Sequence, residues 1–259
     1  MKVKYPMEAF ALSMVVFSQN MKDALITGIL ILLITTLGLL LDQLFGKMIP
    51  KWSRNSCIII LMTALTYSLF QVILIAVLGY ETTNMAEILH VFLGILIAKH
   101  IIYAEGDTDY NRLLFEGAGA YAALLIISII REFMAAGAVH GYKLAESGYF
   151  SPGFSQAGTG LLLAGIGIAI LNRMYNKNKS DFPKSDGFLV IIPVVLASQP
   201  FTIDSISSSV SMVIVVLATL LLVYSVRKYL VFSRISKEIK HMPVELVSAS
   251  LIYMVLAMF

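Results

Sequence analysis

The chain has 259 residues, of which 58% are hydrophobic and only 14% charged, where a soluble domain carries roughly 25% charged residues. That balance excludes an ordinary water-soluble enzyme, and the formal net charge of +3 is better explained by loop charges that set membrane topology than by an anionic partner. A single cysteine, Cys57, excludes an intrachain disulfide framework and a cysteine-rich metal site. In chain order, Pro6–Ser18 is a short apolar segment, and the basic start MKVKYPMEAF lacks the small-residue cleavage pattern of a signal peptide, so it reads as mature sequence. Ala24–Phe45 is a full span, followed by the basic turn FGKMIPKWSRNS. Cys57–Gly79 is a second full span. His90–Tyr103 is short, interrupted by Lys99 and His100, and runs into an acidic stretch at Glu105 and Asp107. Leu113–Met134 spans, a loop rich in Gly and Tyr runs to Ser151, and Phe154–Leu171 spans. After the polar linker 172–187, Phe188–Thr202 is short, and Val210–Leu230 and Val244–Phe259 span.

The rhythm is short–long–long, three times. It predicts an all-α polytopic membrane protein of about nine segments in three modules, 1–80, 86–177 and 187–259. With three crossings per module, consecutive modules lie in opposite orientations, as in transporter-type inverted repeats whose sites sit near the bilayer midplane. Placing the N-terminus in the cytoplasm puts most of the loop lysines and arginines on that side, from Lys2 and Lys4 through Arg54, Arg112 and Arg173 to Lys240. The other side keeps Lys22, Arg131 and Lys143, an asymmetry of the positive-inside kind.

The stretches FLGILIAKHIIYAEG, LLFEGAGAYAALLIISIIREFMAAGAVHG and SPGFSQAGTGLLLAGIGIAILNRM resemble the small paired membrane subunits of the Rnf and Nqr electron-transport complexes, in particular the RnfE-type member of the pair and its Nqr counterparts. The carrying residues are Leu93-Gly94-Ile95, Glu116-Gly117, Ile130-Arg131-Glu132, Gly137, Pro152-Gly153-Phe154 and Leu171-Asn172. The closing part, FLVIIPVVLASQPF with IKHMPVELVSASLIYMVLA, is similar to the ending of the RnfA-type member. The resemblance implies a complete inverted-repeat pair over 1–177 and an extra half module over 187–259. It also implies an integral subunit of an ion-translocating electron-transport complex, with the lipid bilayer and other such subunits as partners, in a bacterial or archaeal cytoplasmic membrane. In that family a cysteine in each half-helix helps hold an iron–sulfur cluster. Here the first half-helix reads ALSMVVFSQ, the second has Lys99-His100 in that place and the third has Ser198-Gln199. The resemblance therefore implies a chain with no cluster of its own, structural or ion-conducting, with Na+ or H+ as the transported ion. A stand-alone secondary ion or small-molecule transporter on the same scaffold is the alternative, and an assembly factor a third.

Several ionisable residues fall where hydrocarbon is expected, which is costly. Lys99 and His100 are candidates for a midplane ion or redox-gating site, or for a lysine snorkelling to the edge beside a hydrogen-bonded histidine. Glu8 lies inside a short segment. Arg131 pairs either with an acidic group in an ion path or with a helix-end carboxylate at the interface. Glu116 complements the dipole at a helix start, as Glu245 does further on. Asp42 reads as interfacial beside Lys47, and Asp204 with the serines 205 and 207–209 as a helix entry. No residue has metal-ligand spacing, and there is no phosphate loop, nucleophile–base pair or basic–aromatic nucleic-acid patch.

Overall fold

A computed structural model describes residues 5–46, 48–50, 52–79, 84–103, 109–145, 149–175, 187–199, 207–229 and 244–256. Within them lie helices α1 (Met7–Val16), α2 (Met21–Phe45), α3 (Arg54–Gln71), α4 (Asn84–Tyr103), α5 (Tyr110–Ala136), α6 (Ala157–Tyr175), α7 (Gly187–Ser198), α8 (Ser208–Tyr229) and α9 (Val244–Leu256). Five stretches are long and apolar enough to cross a membrane: α2, α3 with its π-helical continuation Val72–Val77, and α4 to α6. The described residues are almost wholly helical, and the chain is a multi-pass membrane protein. Asp204, Ser205, the acidic run at 105–107, most of the linker 172–187 and many of the loop lysines, including Lys47, lie outside the described residues.

Local chemistry sets the ends. Asn20 caps α2 by accepting from the Lys22 N–H at 3.0 Å, and Asp109 caps α5 by accepting from Arg112 at 3.2 Å. Helix α5 stops at Gly137, which takes the left-handed conformation (φ 65°) and donates to the Phe133 carbonyl at 2.7 Å. The expected loop after it holds a two-stranded hairpin, Ala138–Val139 against Tyr142–Lys143. Its two turn residues, His140 and Gly141, both have positive φ, as a tight two-residue hairpin turn demands.

Each described segment matches an expected one in position, with one correction. The short, interrupted half-helix expected at His90–Tyr103 is the inner part of a continuous helix, α4, of 20 residues, about 30 Å long. The helix survives Lys99 because that charge lies within about a turn of the helix end and meets an anion from α1. By contrast α1, with 10 residues, and α7, with 12, are about half that length.

Side-chain pairs fix the helix directions. Lys99 near the end of α4 meets Glu8 at the start of α1, so α1 and α4 are antiparallel. Arg131 near the end of α5 meets Val15 at the end of α1, so these two are parallel. Glu132 bonds the first residue of α2, Asp42 near the end of α2 bonds Arg54 at the start of α3, and Ser250 of α9 bonds Gly158 at the start of α6. Helices α1, α4 and α7, the first of each module, pack on one another, while α1 packs on α6, α4 on α3 and α2 on α5.

Helix α1 is apolar apart from Glu8 and Ser13, and nearly every residue from Met7 to Val15 is buried, as expected of a helix without a continuous polar face. Helix α6 makes close contact on two sides through glycines seven residues apart. Gly158 and Gly165 face α9, while Gly160 and Gly167 face α1 and α5, an arrangement of small residues that lets membrane helices approach closely. Helices α3 and α8 turn large apolar side chains outward, Ile60 and Leu221 among them.

Candidate functional site

Arg131 is a heavily bonded side chain, with six hydrogen-bond contacts from its three guanidinium nitrogens. It is fully buried and lies near the end of α5, between the end of α1 and the 3-10 turn Pro152–Ser155 that leads into α6. Its Nε donates to the Phe154 carbonyl at 3.0 Å. One terminal nitrogen donates to the carbonyls of Val15 at 2.7 Å and Met14 at 3.4 Å and to the Ser18 hydroxyl at 2.7 Å. The other reaches the carbonyls of Ser155 and Gln156, each at 3.0 Å. The acceptors at the end of α1 lack following helical donors, and a cation favours the negative end of a helix. Arg131 is therefore a cap shared by two chain breaks. Neither an acidic partner nor an interfacial ion pair, the two expectations for this residue, is what it has. The neighbouring Glu132 serves the same end of the bundle differently, accepting from the N–H of Met21 and of Gly141, both at 2.9 Å.

At the opposite end, two residues read separately from the sequence meet. Lys99 Nζ lies 2.8 Å from Glu8 Oε1, with both side chains mostly buried. This joins α1 to α4 and accounts for the presence of each charge, since an intramembrane ion is tolerated when paired. His100 is partly buried beside it. Glu116 is buried and bonded by Arg112 at 2.6 Å, one turn away on α5. Nearby, Tyr5 stacks edge-on with Phe10 and Tyr175, and burial, aided by Glu116 and Tyr175, pushes its phenol above the usual range. Asp42 pairs with Arg54 at 2.6 Å, which gives it a described partner other than the expected Lys47. Glu245, expected to serve its own helix start, reaches across to accept from the Gly187 N–H at 2.7 Å, capping α7.

Ser198 ends α7. Its hydroxyl bonds the Val194 carbonyl and the Tyr253 hydroxyl, and Gln199 follows in a left-handed conformation, φ 33°. The structure thus brings Glu8 and Lys99 together and keeps Arg131, Glu116 and Ser198 in three separate networks. The donor set does not fit a thiolate-held cluster: Cys57 is exposed on α3 and Lys99 is engaged with Glu8. Among the described residues no three His, Cys, Asp or Glu side chains are grouped to hold a metal.

Sequence reading missed His90. It is 1% exposed and lies between the rings of Phe70, 4.3 Å away, and Phe17, 5.9 Å away. The available signal was a lone histidine near the start of an apolar helix. The carbonyl acceptors of Arg131 left no signal, because backbone groups carry no residue identity. No protein-family model matches the chain, and no curated protein or solved structure matches it.

Proposed function

We propose that the chain is an integral subunit of an ion-translocating electron-transport assembly of the Rnf and Nqr type. In this reading it braces the ion path with its central helices, while neighbouring subunits carry the electrons. The observation that carries the reading is the pairing of the first two modules. The first helix of each packs on the last helix of the other (α1 on α6, α4 on α3), and the middle helices α2 and α5 pack on each other. That interlocking is what two modules related by a pseudo-two-fold axis would produce, and the antiparallel sense of α1 and α4 supports an inverted repeat. The third module adds α7 to the centre, beside α1 and α4. The reading takes nine crossings with a cytoplasmic N-terminus, which the distribution of loop lysines and arginines supports. On that arrangement the charges of Arg54, Lys99, Arg112 and Arg173 share one end, and Lys22, Arg131 and Lys143 the other. A bacterial or archaeal cytoplasmic membrane is the setting this implies.

One observation favours a second reading. The interlocking of modules is complete within a single chain, as a stand-alone secondary transporter would need. Extraction from native membranes in mild detergent, followed by mass spectrometry and iron analysis, separates the two. The first reading expects redox subunits in the same particle, with iron assigned to them. Recovery of this chain alone, or iron bound in stoichiometric amount by the isolated chain, overturns it.

A further inference from the structure

The seam between α3 and α4 holds polar atoms that the protein itself does not satisfy. Both ring nitrogens of His90 are buried without a hydrogen-bond partner, and so are the hydroxyls of Thr66 and Thr63 and the amide nitrogen of Gln71. His90 and Thr66 are 1% and 0% exposed. The threonines, the glutamine and the histidine lie on the two helices that form the seam, Thr63, Thr66 and Gln71 on α3 and His90 on α4. Phe70 stacks on His90. One turn further along α4, Gly94 lies directly against Thr63 and Thr66. Gln71 is the last residue of α3 before the chain widens into a π-helix at Val72–Val77, a form that occurs often at functional positions. Tyr67, beside Thr66 on α3, donates to Glu87 at 3.4 Å.

An unmade hydrogen bond on a buried polar atom is costly, and the bilayer offers no solvent to relieve it. The two phenyl rings cover the faces of the imidazole and leave its nitrogen-bearing edges as the places where a partner can bind. A neutral imidazole presents one donor and one acceptor, a hydroxyl presents both and the Gln71 amide nitrogen donates. The partner must therefore be small and able both to give and to take hydrogen bonds. Two to four polar partners are what an internal water requires.

We propose that this seam is an internal hydration site, in which bound water satisfies His90 and the neighbouring polar groups of Thr66, Thr63 and Gln71. The site stands whether or not the chain belongs to an electron-transport assembly, because it rests on the packing of α3 and α4 with Phe17 within this chain.

Hydroxyl-radical footprinting of the full chain in nanodiscs tests it, since radicals generated from bound water modify adjacent side chains even when they are closed to bulk solvent. Phe70 and His90 are expected to be modified several-fold faster than Phe10, which is equally buried but lies in the apolar core. Modification of Phe70 and His90 at the rate of Phe10 overturns the proposal. The substitution His90→Phe gives a second reading. It keeps the stacking and removes both nitrogens, so a dry seam would gain stability. A hydrated seam gains none, because Thr66 and Gln71 lose their bridge. A rise in melting temperature overturns the proposal, and an unchanged or lower one agrees with it.

Discussion

Replacing Arg131 with methionine tests how the bundle tolerates helices that end inside it. Methionine keeps much of the length and the apolar stem of the side chain and removes every donor. The carbonyls of Val15 and Ser155, held at 2.7 and 3.0 Å, then lose a charged donor, and the Ser18 hydroxyl loses a partner. A buried acceptor left unmade costs about 1–3 kcal/mol. Bonds that share one guanidinium do not add independently, so two such acceptors set the scale, and the expected loss is about 3 kcal/mol. For a chain of this size about 2–4 °C accompany each kcal/mol, which makes a fall in melting temperature of roughly 6–12 °C. Fluorescence-detected size-exclusion chromatography after heating in mild detergent measures it. Arg131→Lys should fall in between, because an ammonium offers its donors from one point and lacks the planar fork of arginine. A fall below about 2 °C for Arg131→Met, which is under one kcal/mol, would refute the shared-cap reasoning.

Three further outcomes follow from the same geometry. Glu8→Gln and Lys99→Met should each destabilise more than the double replacement, because each alone removes one charge of a mostly buried pair and keeps the other; additive effects in the double-mutant cycle would dissolve the pair. Gly94→Ala places a methyl group 2.6 Å from Thr63 Cα and 3.1 Å from the Met62 carbonyl oxygen. It should therefore force α3 and α4 apart at a cost of about 1–3 kcal/mol, seen as a lower melting temperature, whereas an unchanged value would show that the seam has slack. Glu245→Ala removes the acceptor from the first residue of α7 and should cost about 1 kcal/mol, the usual scale of a lost helix cap. Faster amide exchange at the start of α7 would report it, and unchanged exchange would speak against the cap.

Much of the helix framework was legible in the residues, and much of the site was not. The apolar stretches announced themselves because hydrocarbon accepts only segments whose backbone is internally bonded. The apolar segment Pro6–Ser18 announced the short helix α1, though not that nearly all of it is buried. The glycine after α5 marked its stop. The residue Lys99 misled, because a charge in an apolar run reads as an interruption until its counter-ion is known. Glu8 stands 91 positions away, and no local pattern links the two. Arg131 was visible as a costly cation but not as a cap, since its partners are main-chain carbonyls from two distant breaks. His90 was passed over because burial and stacking depend on where Phe17 and Phe70 arrive.

By itself, then, the amino-acid order determined that this is a membrane protein of many helices, that α1 and α7 are short, and where several helices begin and end. Those properties follow from local hydrophobicity, length and capping groups, all read within a few residues. Tertiary structure alone decided that α4 runs unbroken, that Glu8 answers Lys99, that Glu245 caps a helix other than its own and that Arg131 holds two chain breaks together. Each of those depends on which surfaces meet, and contact between distant helices is set by the packing of the whole bundle.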